Sequence, residues 1–119
     1  MNKNFSIESL GEFSSISRVD LKDKLDFTSC EISINTLLAN TNVPFIHYHK
    51  NNEEIYIILN GNGEIKLDNE LILIKKGDII RVAPSVRRQI FAKSDLNYIC
   101  IQAKENSLTQ YTFTDGVIE

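Results

Sequence analysis

Short apolar runs separated by polar turns dominate the chain from residue 27 onward. Cys30, Ile32 and Ile34 alternate with polar neighbours, which is typical of a β-strand with one buried face. The pattern predicts strands within FTSCEISINTLL (27–38), IYIIL (55–59), EIKL (64–67), LILI (71–74), IIRV (79–82), RQIFA (88–92) and NYICIQ (97–102). Because no long amphipathic helix interrupts them, we expect an all-β sandwich or barrel of antiparallel strands with little helix.

The two ends of the chain carry weaker patterns. Apolar residues recur roughly every three positions in residues 1–20, which fits either a short helix or an extended arm. Residues 18–26 fit one or two helical turns or a structured loop. No internal repeat or linker is visible, so we predict a single domain. Its parts are an N-terminal arm (1–26), a barrel core (27–103) and a C-terminal arm (104–119).

The composition of the chain indicates which kinds of partner and which cellular location to expect. The 119 residues are 42% hydrophobic and 24% charged, which is ordinary for a globular protein. The net charge of −3 argues against nucleic acid as a partner. No segment approaches the ~18 apolar residues of a membrane span, and no signal peptide is visible, so we expect a cytoplasmic protein without membrane contact. Cys30 and Cys100 lie in strand-like segments and are interpreted as buried, inert thiols.

The segment Pro44–Gly63 (PFIHYHKNNEEIYIILNGNG) contains both histidines of the chain. Pro44 favours an extended Val43, so a new strand is predicted here, and residues two apart on a strand point to the same side. His47 and His49 would then present two imidazoles to one space, and Glu54 follows five residues later. This donor set suits Zn, Fe, Mn, Ni, Co or Cu. The alternative is a pair of solvent-exposed histidines beside a charged loop edge.

At these residues the sequence resembles the cupin superfamily. The order His-x-His, four residues, Glu54, six residues and Gly61 is similar to the first cupin motif, and KKGDIIRVAPSVRRQIFA (75–92) is similar to the second. The stretch YICIQAKENSLTQYTFTDG (98–116) resembles a group of small, uncharacterised bacterial cupins. The resemblance implies a conical, cupin-type jelly-roll β-barrel with a metal inside it, and a homodimer.

The second motif departs from the family pattern, in which a third histidine follows a proline-x-glycine turn. Here no histidine and no glycine follow Pro84. Alignment on Pro84 places Gln89 at the third-histidine position, whereas alignment on Gly77 places Arg88 there. Burying an arginine beside a metal costs more than burying an amide, which favours Gln89 as a fourth ligand. An inward Arg88 would instead bring a positive charge against the cation.

The resulting hypothesis is a metal-binding cupin that binds or acts on a small oxygen-bearing molecule, for example one derived from a sugar. Related cupins include dioxygenases, isomerases and lyases, and the sequence does not choose among them. The competing hypothesis is a non-catalytic small-molecule or carbohydrate-binding module with a degraded metal site. A third is a structural role through assembly, in which the N-terminal arm adds to a neighbour's sheet edge. Candidate cavity-lining residues are Tyr56, Arg81, Tyr98, Cys100 and Gln102.

Overall fold

The computed structural model describes residues 4–119, and these residues form two antiparallel β-sheets. The strands are β1 (Arg18–Asp20), β2 (Glu31–Leu37), β3 (Asn52–Asn60), β4 (Asn62–Leu67), β5 (Glu70–Lys75), β6 (Ile79–Val82), β7 (Arg88–Ala92) and β8 (Leu96–Lys104). One sheet has the order β1-β2-β8-β3-β6 and the other has the order β5-β4-β7. The all-β prediction and most of the predicted strand positions are confirmed.

The apolar core lies between the two sheets. Every second residue of β3 is buried, so that Tyr56 and Ile58 point inward, where they meet Ile65 of β4 and Ile90 of β7. Ile65 is fully buried, and truncating such a side chain to alanine typically costs about 2–5 kcal/mol. The core therefore holds the sheets together and fixes which residues of β3 face the barrel interior.

The N-terminal segment forms short elements rather than one helix. A 3₁₀ turn at Phe13–Ser15 leads into β1, and α1 (Lys22–Leu25) is a single turn. The Glu31 carboxylate accepts the backbone N–H groups of Leu21 and Lys22, which satisfies free amides at the start of α1. Residues 4–12 contain neither helix nor strand, and the part of the predicted arm at 1–3 lies outside the described residues.

Helices contribute little to the described part of the chain. The second α-helical turn, α2 (Thr112–Asp115), lies in the C-terminal arm. Within residues 4–119 no helix has the length and apolar character that a membrane crossing requires.

The histidine segment is not the regular strand that the sequence predicts. Residues 42–51 are mostly irregular and touch β7 through isolated bridges, one of which pairs His47 with Arg88. Pro44 lacks a backbone N–H, so a continuous ladder of hydrogen bonds cannot form through it. The segment nevertheless follows β7, because His47 N donates to Arg88 O at 3.2 Å and Arg88 N donates back at 3.0 Å.

Strand β2 also differs from the prediction of one buried face. Ile34 is 1% exposed, as expected, but Ser33 and Asn35 on the opposite face are each 4% exposed. These polar side chains face a cavity inside the barrel instead of bulk solvent. The alternation correctly predicts a strand, but the expectation that its polar side faces solvent is wrong.

Candidate metal centre

Three residues from two parts of the fold meet at the cavity. His47 is held by its backbone bridge to Arg88, and His49 N donates to Pro84 O at 2.8 Å. Glu54 lies on β3, where it pairs with Val82 of β6 and Gln102 of β8. One ligand atom from each of His47, His49 and Glu54 lies within 4.8 Å of the others. In the part of the chain that the structure describes, this is the one such group of histidine, cysteine and acidic side chains.

The two imidazoles have nitrogen atoms that no protein group satisfies. His49 Nε2 lies 3.2 Å from Glu54 Oε2 but outside hydrogen-bonding geometry, and His47 Nε2 lies 3.6 Å from Glu54 Oε1. Within residues 4–119, His49 Nε2 and His47 Nδ1 are buried without a hydrogen-bond partner. Buried polar atoms are normally partnered, so these nitrogens are available to a further group. A divalent transition metal fits this donor set.

Glu54 is buried yet ionised. Its Oε1 accepts hydrogen bonds from the Tyr56 hydroxyl and from Arg88 Nη1 at 2.7 Å, and its Oε2 accepts one from Cys100 Sγ at 3.3 Å. Burial by itself raises the pKa of Glu54, but the hydrogen bonds from Tyr56 and Arg88, together with the nearby His49, hold that pKa below its usual range. The site therefore contains a carboxylate anion.

Burial favours the neutral forms of His47, Cys100 and Tyr98. Burial lowers the pKa of His47, and the opposing effect of Glu54 does not offset it. Burial raises the pKa of the Cys100 thiol, and the Glu54 charge raises it further, so Cys100 is a hydrogen-bond donor and not a thiolate. Burial likewise raises the pKa of Tyr98 to about 12. Neutral imidazoles are the form that coordinates metals.

Arg88, the less favoured candidate for the third-histidine position, is the residue that reaches Glu54. Its side chain is buried, with Nε donating to Val86 O and Nη2 donating to the carbonyls of Ala83, Pro84 and Val86 at 2.7–2.9 Å. The cost of burying an arginine beside a metal favours Gln89 at this position. That cost is offset here by a carboxylate and three carbonyl oxygens, which together use all three guanidinium nitrogens.

Gln89 points to the other side of β7. Arg88, Ile90 and Ala92 are buried along this strand, whereas Gln89 and Phe91 are partly exposed. Gln89 Nε2 donates to Val43 O at 2.7 Å and so ties the histidine segment to β7. Its side chain is also among those that border the cavity. Coordination of a metal through its amide oxygen stays a prediction.

A cavity of about 200 Å³ opens beside the three candidate ligands. Its wall on the five-stranded sheet is polar, because inward positions of neighbouring strands are in register: Ser33 lies opposite Cys100, and Asn35 lies opposite Tyr98. Asn35 donates to Ser33 Oγ and accepts from Arg18 Nη1, which fixes its amide. The lining residues from the histidine segment and β7 include the apolar side chains of Val43, Phe45 and Ile90.

Most of the predicted cavity-lining residues border this space. Tyr56, Tyr98, Cys100 and Gln102 do so, whereas Arg81 lies outside and pairs with Glu53 at 3.5 Å. Sequence reasoning missed the residues of β1 and β2, which are Arg18, Glu31, Ser33 and Asn35. For Glu31, Ser33 and Asn35 the signal is the polar half of the alternation in residues 31–35, which by itself resembles a solvent-exposed face.

Comparisons with known proteins agree on one family. A family model described as the cupin domain matches residues 36–102, more than half of the chain. The crystal structure of a cupin protein (BF4112) from Bacteroides fragilis is 47% identical, covers 99% of each chain and superposes with a TM-score of 0.93.

Two further relatives are more distant or match a shorter segment. The uncharacterised protein MJ1618 of Methanocaldococcus jannaschii is 47% identical over 45 residues, which span 38% of this chain and only 36% of that protein. The crystal structure of a predicted oxalate decarboxylase from Thermotoga maritima is 24% identical, with 61% and 64% of the two chains covered and a TM-score of 0.58. The last likeness concerns the fold alone.

Proposed function

This chain belongs to the cupin superfamily, and we propose that its barrel holds one divalent transition metal through His47, His49 and Glu54. The observation that carries the proposal is the convergence of these three side chains within 4.8 Å beside a cavity. The buried, unpartnered imidazole nitrogens support it, because a metal would satisfy them. Two imidazoles and one carboxylate are compatible with Zn, Fe, Mn, Ni, Co or Cu.

We propose further that the cavity binds a small oxygen-bearing molecule. A bound metal would supply Lewis-acid activation of a ligand oxygen or a site for dioxygen chemistry. Ser33, Asn35 and Gln102 would orient hydroxyl or carboxylate groups, while Phe45 and Ile90 would exclude water. A sugar-derived acid meets these requirements.

The test is elemental analysis and calorimetric titration of the purified chain with Zn²⁺, Mn²⁺, Fe²⁺, Co²⁺, Ni²⁺ and Cu²⁺. We expect about one metal per chain, and at least about a tenfold loss of affinity in a His47→Ala, His49→Ala double variant. Glu54→Gln should weaken binding as well. Glu53→Gln is the matched control, because Glu53 pairs with Arg81 away from the cavity. Substoichiometric metal that the double variant leaves unchanged would contradict the proposal.

A metal-independent binding module is the second candidate, and the Arg88–Glu54 ion pair favours it. Arg88 already balances the charge of the carboxylate that a metal would use. A module of this kind would be stabilised thermally by its ligand in the presence of a chelator, and the histidine substitutions would leave that stabilisation unchanged. Loss of the stabilisation on chelation would favour the metal-dependent function.

We also infer a homodimer and a cytoplasmic location. The described structure leaves large apolar side chains exposed in the C-terminal arm, including Leu108, Tyr111 and Phe113. Burial against a second copy would remove this surface from water. Both cysteines are free thiols, which is consistent with a reducing compartment.

A further inference from the structure

We propose that Arg88 is a built-in competitor of the metal, which shares Glu54 with it and lowers the affinity of the centre for divalent cations. This inference rests on the proposed function and names the residue that regulates metal binding at that site. Arg88 lies where this chain lacks the third histidine of the second cupin motif. The family motif therefore does not predict a competing arginine.

The Arg88 charge is fixed in place. The residue is 1% exposed, and its guanidinium donates to three carbonyls of the loop between β6 and β7 in addition to Glu54. Its backbone is also tied to His47 in both directions. Moving the side chain away would remove the Val86 carbonyl from its donors and the buried guanidinium from all its acceptors, which is costly. A metal that enters the centre therefore meets a guanidinium that stays beside it.

Glu54 is already in use before any metal arrives. Its Oε1 accepts from Arg88 and Tyr56, and its Oε2 accepts from Cys100. Oε2 lies 3.2 Å from His49 Nε2, and Oε1 lies 3.6 Å from His47 Nε2, so each oxygen faces one imidazole. A metal would have to share this carboxylate with three donors, one of which carries a full positive charge.

The charges around the centre lead to the same conclusion. Imidazoles that coordinate a metal are neutral, so Glu54 supplies the one negative charge among the three candidate ligands, and Arg88 already balances it. A divalent ion would then add two uncompensated positive charges. Repulsion between a cation and a guanidinium is strong where little water screens it. The metal-loaded centre is therefore cationic, and the ligand class that it favours is a small anion such as a carboxylate.

The experiment compares metal affinities of variants at two adjacent arginines. Arg88→Gln removes the charge beside Glu54, and Arg88→Lys keeps a charge there. Arg87→Gln is the matched control, since exposed Arg87 stacks on Tyr48 at 3.8 Å and donates to Ser85 O. Calorimetric titration with Zn²⁺ and Mn²⁺ should show binding about tenfold tighter or more in Arg88→Gln, because like-charge repulsion is removed. Arg88→Lys and Arg87→Gln should stay within about threefold of the parent chain.

Folding of each variant is checked by thermal denaturation before titration. If Arg88→Gln does not fold, Arg88→Met replaces it, since methionine fills the same volume without charge and its flexible side chain adapts to irregular surroundings. The expected tightening is the same.

The outcomes separate this inference from the proposed function. If the parent chain binds metal and the uncharged variant binds no tighter, Arg88 is not a competitor, while the metal function stands. If neither chain binds metal, both proposals fail. If only the uncharged variant binds, the competition is established and metal occupancy in the parent chain is refuted. Equal tightening in Arg88→Lys would overturn the inference, because charge would then not be the cause.

Discussion

Glu54 is the residue on which the chemistry of the site depends. Its carboxylate receives hydrogen bonds from Tyr56, Arg88 and Cys100 and lies against both histidines. The sequence predicted the meeting of His47, His49 and Glu54 because motif spacing encodes it. The choice between Arg88 and Gln89 is not encoded in the same way. That choice depends on carbonyl groups of the loop before β7, which accept hydrogen bonds from a guanidinium. The positions of these carbonyls cannot be read from the periodicity of side chains in the sequence.

The metal-free chain should lose stability on acidification because of Glu54 and His47. Folding lowers the pKa of Glu54 from 4.5, so its contribution is present above that pH and is lost as pH falls further. Folding also lowers the pKa of His47 from 6.5, so protonation of the unfolded chain begins to destabilise the fold below that pH. Urea unfolding with a chelator at pH 7, 5.5 and 4 should show a progressive decline.

Substitution of Glu54 measures how much this residue contributes to the loss of stability at low pH. Glu54→Gln should cost about 3 kcal/mol at pH 7, because it leaves the buried Arg88 without its anionic partner. The difference between this variant and the parent chain should stay constant down to about pH 4.5 and shrink as pH falls further, because folding lowers the pKa of Glu54. Glu53→Gln is the control and should follow the parent curve. A difference in unfolding free energy that does not shrink even well below pH 4.5 would show that the cost arises from packing rather than from the charge of Glu54.

The strands were the most predictable elements, because alternation and turn residues are local signals. The predicted runs at 64–67, 71–74, 79–82 and 88–92 coincide with β4 to β7. The histidine segment is predicted as a strand and is irregular, since local alternation cannot show that a proline breaks the pairing with β7. The polar face of β2 was misplaced for a related reason. A strand that lines an internal cavity has the same period as one that faces solvent.

The turn between β3 and β4 should tolerate no side chain at Gly61. This glycine has φ +85°, and an added Cβ would lie 2.0 Å from Asp95 O. Gly77 has a similar φ of +92° but open space around it. Gly77→Ala should therefore cost only about 1–2 kcal/mol of backbone strain, and Gly61→Ala at least about 2 kcal/mol more, because backbone atoms must move. Equal losses in chemical denaturation would contradict a steric role for Gly61.

At the scale of the whole molecule, periodicity predicted antiparallel strands but not how they close into a barrel. The pairing of β2 with β8 and the order of the two sheets join segments that are distant in the sequence. The jelly-roll expectation came instead from the resemblance in residues 47–61 and 75–92. In the predicted C-terminal arm, residues 105–119 are all exposed in the structure. Their apolar side chains would be buried only by contact with another molecule, such as a second copy of the chain.

The C-terminal arm provides the test of the homodimer. Phe113 and Ile118 are 94% and 100% exposed, so replacing them does not disturb the core. The parent chain should have a mass in solution of about twice 13.6 kDa by light scattering, because pairing buries this apolar surface. A Phe113→Asp, Ile118→Asp variant should shift to the monomer mass, with at least about a tenfold weaker dimer.

The control variant, Thr109→Asp with Gln110→Asp, adds the same charge to exposed polar positions and should leave the dimer intact. A dimer that survives the apolar substitutions but dissociates in Ile7→Asp would assign the contact to the N-terminal arm, where Ile7 is 82% exposed.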